Sequence, residues 1–217
     1  MTQATAHATT LPPADVLAEN PMAGLGTPAS HAMHGERALG FWLYLMSDAV
    51  IFAILFANYL VLSGGTAGGP GPHQVLELGR AAQETALLLT SSLTFGLMSI
   101  SALSGRRESA LMWLVFTFLL GGAFLFLEFQ EFQGLIREGS GPDRSGFLSG
   151  FFALVGTHGL HVSVGMVMLI VLGVQLTRRG LTEPVLSRLY RVGLFWHFLD
   201  IIWIAIFSVV YLPGALK

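Results

Sequence analysis

Several ionisable side chains sit where hydrocarbon would surround them. His158 and His161 stand in VGTHGLH, His197 and Asp200 in FWHFLDIIW, and Glu128 and Glu131 in LEFQEF. Asp48 lies in LMSDAVIF and Glu84 in ETALLL. The two histidines, the two glutamates and the His197/Asp200 pair each have the i,i+3 spacing that puts both members on one helix face. Imidazoles and carboxylates so placed can do one of three things. They can ligate a metal or haem iron between helices. They can pass protons. They can bind one another across helices and hold a bundle together. Metal ligation lacks its usual partners: no Glu-x-x-His pair of the di-metal carboxylate kind occurs, and there is no cysteine to supply a thiolate. Interhelical hydrogen bonds and ion pairs are the reading these residues favour. Asp48, alone in its apolar run, is the candidate for a proton path. No phosphate-cradling glycine loop and no nucleophile–base pair is present; the glycines of Gly64–Gly71 form a loop.

The elements that must carry these groups follow from composition. The chain has 217 residues, 53% hydrophobic and 11% charged; a soluble domain carries about 25% charged residues. Five apolar runs cover residues 39–62, 81–103, 110–132, 145–175 and 192–212, each near the roughly 20 residues that cross a bilayer. Backbone polar groups in hydrocarbon must be satisfied within the segment, so the runs are predicted to be helices. The expected fold is all-α: a polytopic membrane protein built as a bundle of five transmembrane helices. The fourth run exceeds one span and should tilt. Residues 37–217 form this domain. Residues 1–36 read as a disordered polar tail without the basic and apolar regions of a cleaved signal peptide. No basic block points to nucleic acid. No internal repeat or pair of broken helices suggests a transporter.

Arginines set the expected orientation. Arg37, Arg106, Arg107, Arg178, Arg179, Arg188 and Arg191 fall on one side, and Arg80, Arg137, Arg144 and Lys217 on the other. The first, richer side is cytoplasmic by the positive-inside rule, so the N-terminus is cytoplasmic and the C-terminus periplasmic. Asp48, His197 and Asp200 then lie about two turns from the inner ends of their helices. Glu128, Glu131 and His158 lie in the outer half, with His161 nearer the middle. Expected pairings are Glu128 or Glu131 with His158, and His197 with Asp200 or Asp48. Gly146, Gly150, Ala153, Thr157 and His161 make a stripe suited to close helix approach, and Ser92 and Gly96 can act likewise. Trp42, Tyr44, Trp113, Tyr190, Trp196 and Tyr211 read as interfacial anchors, whereas Trp203 lies deeper.

Four blocks carry a resemblance that spans most of the chain after the tail: GFWLYLMSDAVIF from Gly40, ETALLLTSSLTFG from Glu84, GPDRSGFLSGFFALVGTHGLHV from Gly141, and LFWHFLDIIWIAIFSVVYL from Leu194. They resemble subunit 3 of the haem–copper terminal oxidases, in the five-helix form of bacterial cytochrome o-type ubiquinol oxidases. GPDRSGFLS resembles the quinol branch in particular. The resemblance implies an accessory, non-redox subunit of a multi-pass complex in the bacterial inner membrane. It implies no cofactor in this chain, with low-spin haem, high-spin haem and copper in subunit 1. It implies subunits 1, 2 and 4 and phospholipid as partners. Glu128 and Glu131 match the family's paired glutamates, and His158, His161, His197 and Asp200 match as they stand. Asp48 stands where the family has a carbodiimide-reactive Glu, one methylene longer. The reading from another class is a free-standing membrane oxidoreductase holding haem or metal on His158, His161 and His197.

Overall fold

A computed structural model describes residues 28–216. It contains no strand among the described residues, and five helices long and apolar enough to cross a membrane. We label them α1 (Pro28–Leu62), α2 (Leu78–Leu103), α3 (Arg107–Arg137), α4 (Gly146–Arg179) and α5 (Glu183–Ile206). A π-helical turn, Phe207–Tyr211, prolongs α5 and leads into Leu212–Leu216. The chain divides into two units, Met1–Tyr44 and Leu45–Lys217. In the first, the rings of Phe41 and Tyr44 lie 5.8 Å apart. Residues 28–36 of the expected tail lie within α1, and the rest of it lies outside the described residues. The second unit holds the polar groups and is described from here on.

The helices outrun their apolar stretches. The third continues to Arg137, five residues beyond hydropathy's limit at residue 132, and the fifth begins at Glu183 rather than 192. The segment 176–191, between the fourth and fifth apolar runs, is therefore mostly helix. Pro184 in the first turn starts α5, where a missing N–H costs nothing. Only Gly180–Thr182 links it to α4. Val185 and Leu189 are buried while Tyr190 is exposed, the pattern of an amphipathic turn that average hydropathy hides.

Caps make the turns. Gly105 and Gly139 follow α2 and α3 with φ of +73° and +75°, the left-handed geometry that glycine adopts at helix ends. The next amides, Arg106 and Ser140, donate back to Ser101 O at 2.9 Å and Leu135 O at 2.8 Å. At the start of α4 the Ser145 side chain and the Gly65 carbonyl satisfy otherwise orphaned amides. Leu148 N donates to Ser145 Oγ at 3.2 Å and Phe147 N to Gly65 O at 3.2 Å. The Ser149 hydroxyl bonds Pro142 O.

The four helices α2 to α5 pack as a closed ring: α2 on α3, α3 on α4, α4 on α5 and α5 on α2. Trp196 sits at its centre. A Cβ added at Gly121 of α3 would meet its indole at 2.8 Å, and one at Gly165 of α4 at 3.1 Å. Its Nε1 donates to Ser91 Oγ of α2 at 3.1 Å. One side chain of α5 thus touches the other three helices of the ring. Trp196 and Tyr211, expected as interfacial anchors, are both 1% exposed. Each finds an oxygen partner inside the bundle, so neither needs the membrane surface. The Leu45–Leu62 part of α1 packs along the small-residue stripe of α4. A Cβ at Gly146 would lie 3.4 Å from Leu62 and one at Gly150 3.3 Å from the Tyr59 backbone.

Candidate functional site

The polar side chains gather in three groups. The first joins α2, α3 and the end of α5. Glu84, Glu128 and Glu131 are all buried here. Glu131 Oε2 accepts a hydrogen bond from the Tyr211 hydroxyl at 3.1 Å. The π-helical turn makes this possible. Its extra residue brings Tyr211 back to the face of Trp203, whose ring lies 6.0 Å away. Trp203 Nε1 donates to Thr85 Oγ1 at 3.0 Å, tying the same end of α5 to α2. A cavity of about 220 Å³ lined by Glu77, Arg80, Glu131 and Glu138 opens at this end of the helices.

His158 and Glu128 do not pair as expected. Among the described residues neither ring nitrogen of His158 and neither carboxyl oxygen of Glu128 has a hydrogen-bond partner. The imidazole faces Trp203, with ring centres 5.3 Å apart, and meets Phe124 edge-on at 5.8 Å. Glu128 lies against Gly159 instead: a Cβ there would fall 2.6 Å from Oε1. Successive helical residues point about 100° apart, so the carboxyl that covers Gly159 misses the ring one residue earlier. Glu131, the other expected partner, is taken by Tyr211.

The second group joins α1 and α4. His161 Nδ1 lies 2.7 Å from Thr157 O, and its Nε2 lies 3.8 Å from Asp48 Oδ2. A carbonyl only accepts, so Nδ1 carries a proton and Nε2 is the atom turned to the carboxyl. Asp48 is therefore level with His161 near the middle of α4, and its partner is neither His197 nor alone. Phe52 covers the pair, its ring 5.1 Å from His161.

The third group joins α2 and α5. His197 Nδ1 lies 2.8 Å from Ser92 Oγ and 3.5 Å from Asp200 Oδ2, the expected His197–Asp200 pairing. Because α5 starts at Glu183, His197 stands near the middle of the span Glu183–Gly214 rather than two turns from its end. Asp200 is buried, but the His197 side chain is 48% exposed.

The arrangement supports polar clasps between pairs of helices. Among the described residues no three His, Asp or Glu side chains converge as a metal-ligand set. His161 and His197 belong to separate groups, and His158 lies among the rings of Trp203 and Phe124. Sequence reasoning missed Ser91, Thr85 and Tyr211 as partners. Their signal was the serine and threonine content of α2, which faces the two tryptophans and His197 of α5.

The chain matches the family model described as cytochrome c oxidase subunit III over residues 7–215. It is 54% identical over 187 residues to the cytochrome bo(3) ubiquinol oxidase subunit 3 of Pseudomonas aeruginosa, covering 86% of this chain and 90% of the relative. The protein of the same name from Pseudomonas putida is 52% identical over 178 residues, covering 82% and 86%. The cytochrome c oxidase subunit 3 of Bacillus sp. strain PS3 is 41% identical over 183 residues, covering 82% and 86%. With its five apolar helices and the histidine and carboxylate blocks in place, this chain belongs to the cytochrome c oxidase subunit III family.

Proposed function

We propose that this chain is the accessory, non-redox subunit 3 of a proton-pumping, cytochrome o-type ubiquinol oxidase. The complex would oxidise ubiquinol and reduce oxygen to water in a bacterial inner membrane. The observation that carries this reading is the 52–54% identity, over most of both chains, to the cytochrome bo(3) ubiquinol oxidase subunits 3 of two Pseudomonas species. The haems and copper are assigned to subunit 1. Subunits 1, 2 and 4 and phospholipid are the partners. The N-terminus is assigned to the cytoplasm, because Arg106, Arg107, Arg178 and Arg179 lie at one end of the bundle. Arg107 donating to Thr177 O fits that placement.

In this reading the chain's direct work is structural. Asp48 and His161 hold α1 to α4, and His197 with Ser92 holds α5 to α2. Glu131 and Tyr211 clasp α3 to the end of α5, with Glu84 and Glu128 beside them. Each interhelical bond of this kind contributes about 0.6 to 2 kcal/mol. A proton role for Asp48 is the second reading, favoured by its burial beside the His161 imidazole, 3.8 Å from Nε2. Deleting the chain tests the first reading. The remaining oxidase should assemble poorly or lose activity during sustained turnover while its initial rate is spared. Normal assembly with undiminished long-term turnover would contradict it.

A further inference from the structure

The seam between α3 and α4 holds a groove that the helix clasps do not use. Its volume is about 340 Å³, with Phe129 and Phe132 of α3 on one side and Gly156, Gly159 and Ser163 of α4 on the other. That volume lies within the range of small-molecule sites. Two glycines keep it open. A Cβ at Gly156 would lie 3.6 Å from the Phe132 ring, and one at Gly159 would fall 2.6 Å from Glu128 Oε1.

Glu128 belongs to the lining of this groove. The residue is 3% exposed, and among the described residues neither carboxyl oxygen has a hydrogen-bond partner. Ser163 leans toward the same spot. Its hydroxyl donates to Gly159 O at 2.9 Å, and its oxygen can still accept. Two polar groups therefore converge on Gly159 in an otherwise apolar groove. Gly159 and Ser163 bracket the middle of α4, Gly146–Arg179, so the groove lies deep in the membrane.

Depth and polarity together select the occupant. A buried carboxyl without a hydrogen bond is costly, so the groove favours a ligand that carries oxygen atoms to mid-membrane. A phospholipid chain brings none, because its ester oxygens stay at the edge of a hydrocarbon core about 30 Å thick. A quinone ring on an isoprenoid tail does bring them. Its carbonyl accepts from the acid form of Glu128. In the reduced ring a hydroxyl donates to a Glu128 oxygen or to Ser163 Oγ. The flat ring can pack on Phe129 or Phe132 as aromatic rings do. The tail leaves on the side where Phe129 is 59% exposed.

Resting on the ubiquinol oxidase reading above, we infer that the α3/α4 groove at Glu128 is a binding site on this chain for the ring of ubiquinone or ubiquinol.

The test uses the whole oxidase in its own membrane, with a short-chain ubiquinone bearing an aryl azide as the probe. After irradiation and digestion, adducts should map to residues 125–132 and 156–163, and excess azide-free ubiquinone should remove them. Glu128→Leu should lower this labelling about three- to tenfold, the weight of one hydrogen bond. Glu128→Gln can still donate and accept, and should keep most of it. Gly156→Leu, which fills the groove beside Phe132, should abolish it. Each variant is first shown to co-purify with the other oxidase subunits. Adducts confined to other subunits would overturn the site and leave the subunit reading standing. So would adducts in the groove that ubiquinone does not displace, the mark of partition from lipid. Wild-type labelling in both Glu128→Leu and Gly156→Leu would overturn the site as well. A chain that takes no label and co-purifies with no quinol-oxidising subunit would overturn both readings.

Discussion

Trp196 and His197 are neighbours on α5, and each uses a ring nitrogen on one of two consecutive serines of α2, Ser91 and Ser92. Trp196 points inward. It is 1% exposed, wedged against Gly121 and Gly165, and its single donor is satisfied. His197 points outward with half its side chain uncovered and a second nitrogen to spare. The same helix pair therefore carries a finished contact on one side and an unfinished one on the other. Trp196 explains why the four-helix ring holds together. His197 adds a second tie between α5 and α2 through Ser92, at the outward-facing side of the same helix pair.

Substitutions can break this contrast in order of expected size. Trp196→Ala should be the most damaging, at about 3–5 kcal/mol, because it empties the junction of α2, α3, α4 and α5. Thermal unfolding of the purified chain in detergent measures it, and a loss below about 1 kcal/mol would remove Trp196 from the centre of the account. Gly159→Ala should cost about 1–3 kcal/mol by driving a methyl into Glu128. The cost should shrink in a Glu128→Ala background; an equal cost in both backgrounds would place the strain elsewhere. Tyr211→Phe should cost about 0.6–1.7 kcal/mol, and its combination with Glu131→Gln should cost less than the sum. Additive losses would mean that the two side chains do not act as a pair. Ser92→Ala should change the stability of the isolated chain least, by a few tenths of a kcal/mol, since water or detergent can replace an exposed hydroxyl. A loss as large as that of Trp196→Ala would end the distinction between the inward and the outward contact.

The five spans were legible because hydrocarbon imposes a length and a composition that any window of sequence displays. Helix ends were less so. The first turns of α5 are polar on one face and apolar on the other, and averaging erases that. Residues such as His197 and Asp200 were legible as a pair because i,i+3 spacing is a property of one helix. Pairings between helices were not, since they depend on rotation about each axis. Glu128 lands on Gly159 and not on His158 for the sake of one residue's turn. Tyr211 reaches Glu131 through a π-helical turn, Phe207–Tyr211, that no glycine or proline marks. Asp48 looked solitary because its partner, His161, lies on another helix 3.8 Å away.

The most direct test of the central claim is to purify this chain through an affinity tag in mild detergent and to measure haem and partner subunits against it. The account predicts that haem absorbance follows the larger oxidase subunits and leaves with them when the complex is dissociated, so that the separated chain shows no Soret band. Stoichiometric haem or metal remaining on the separated chain would contradict it.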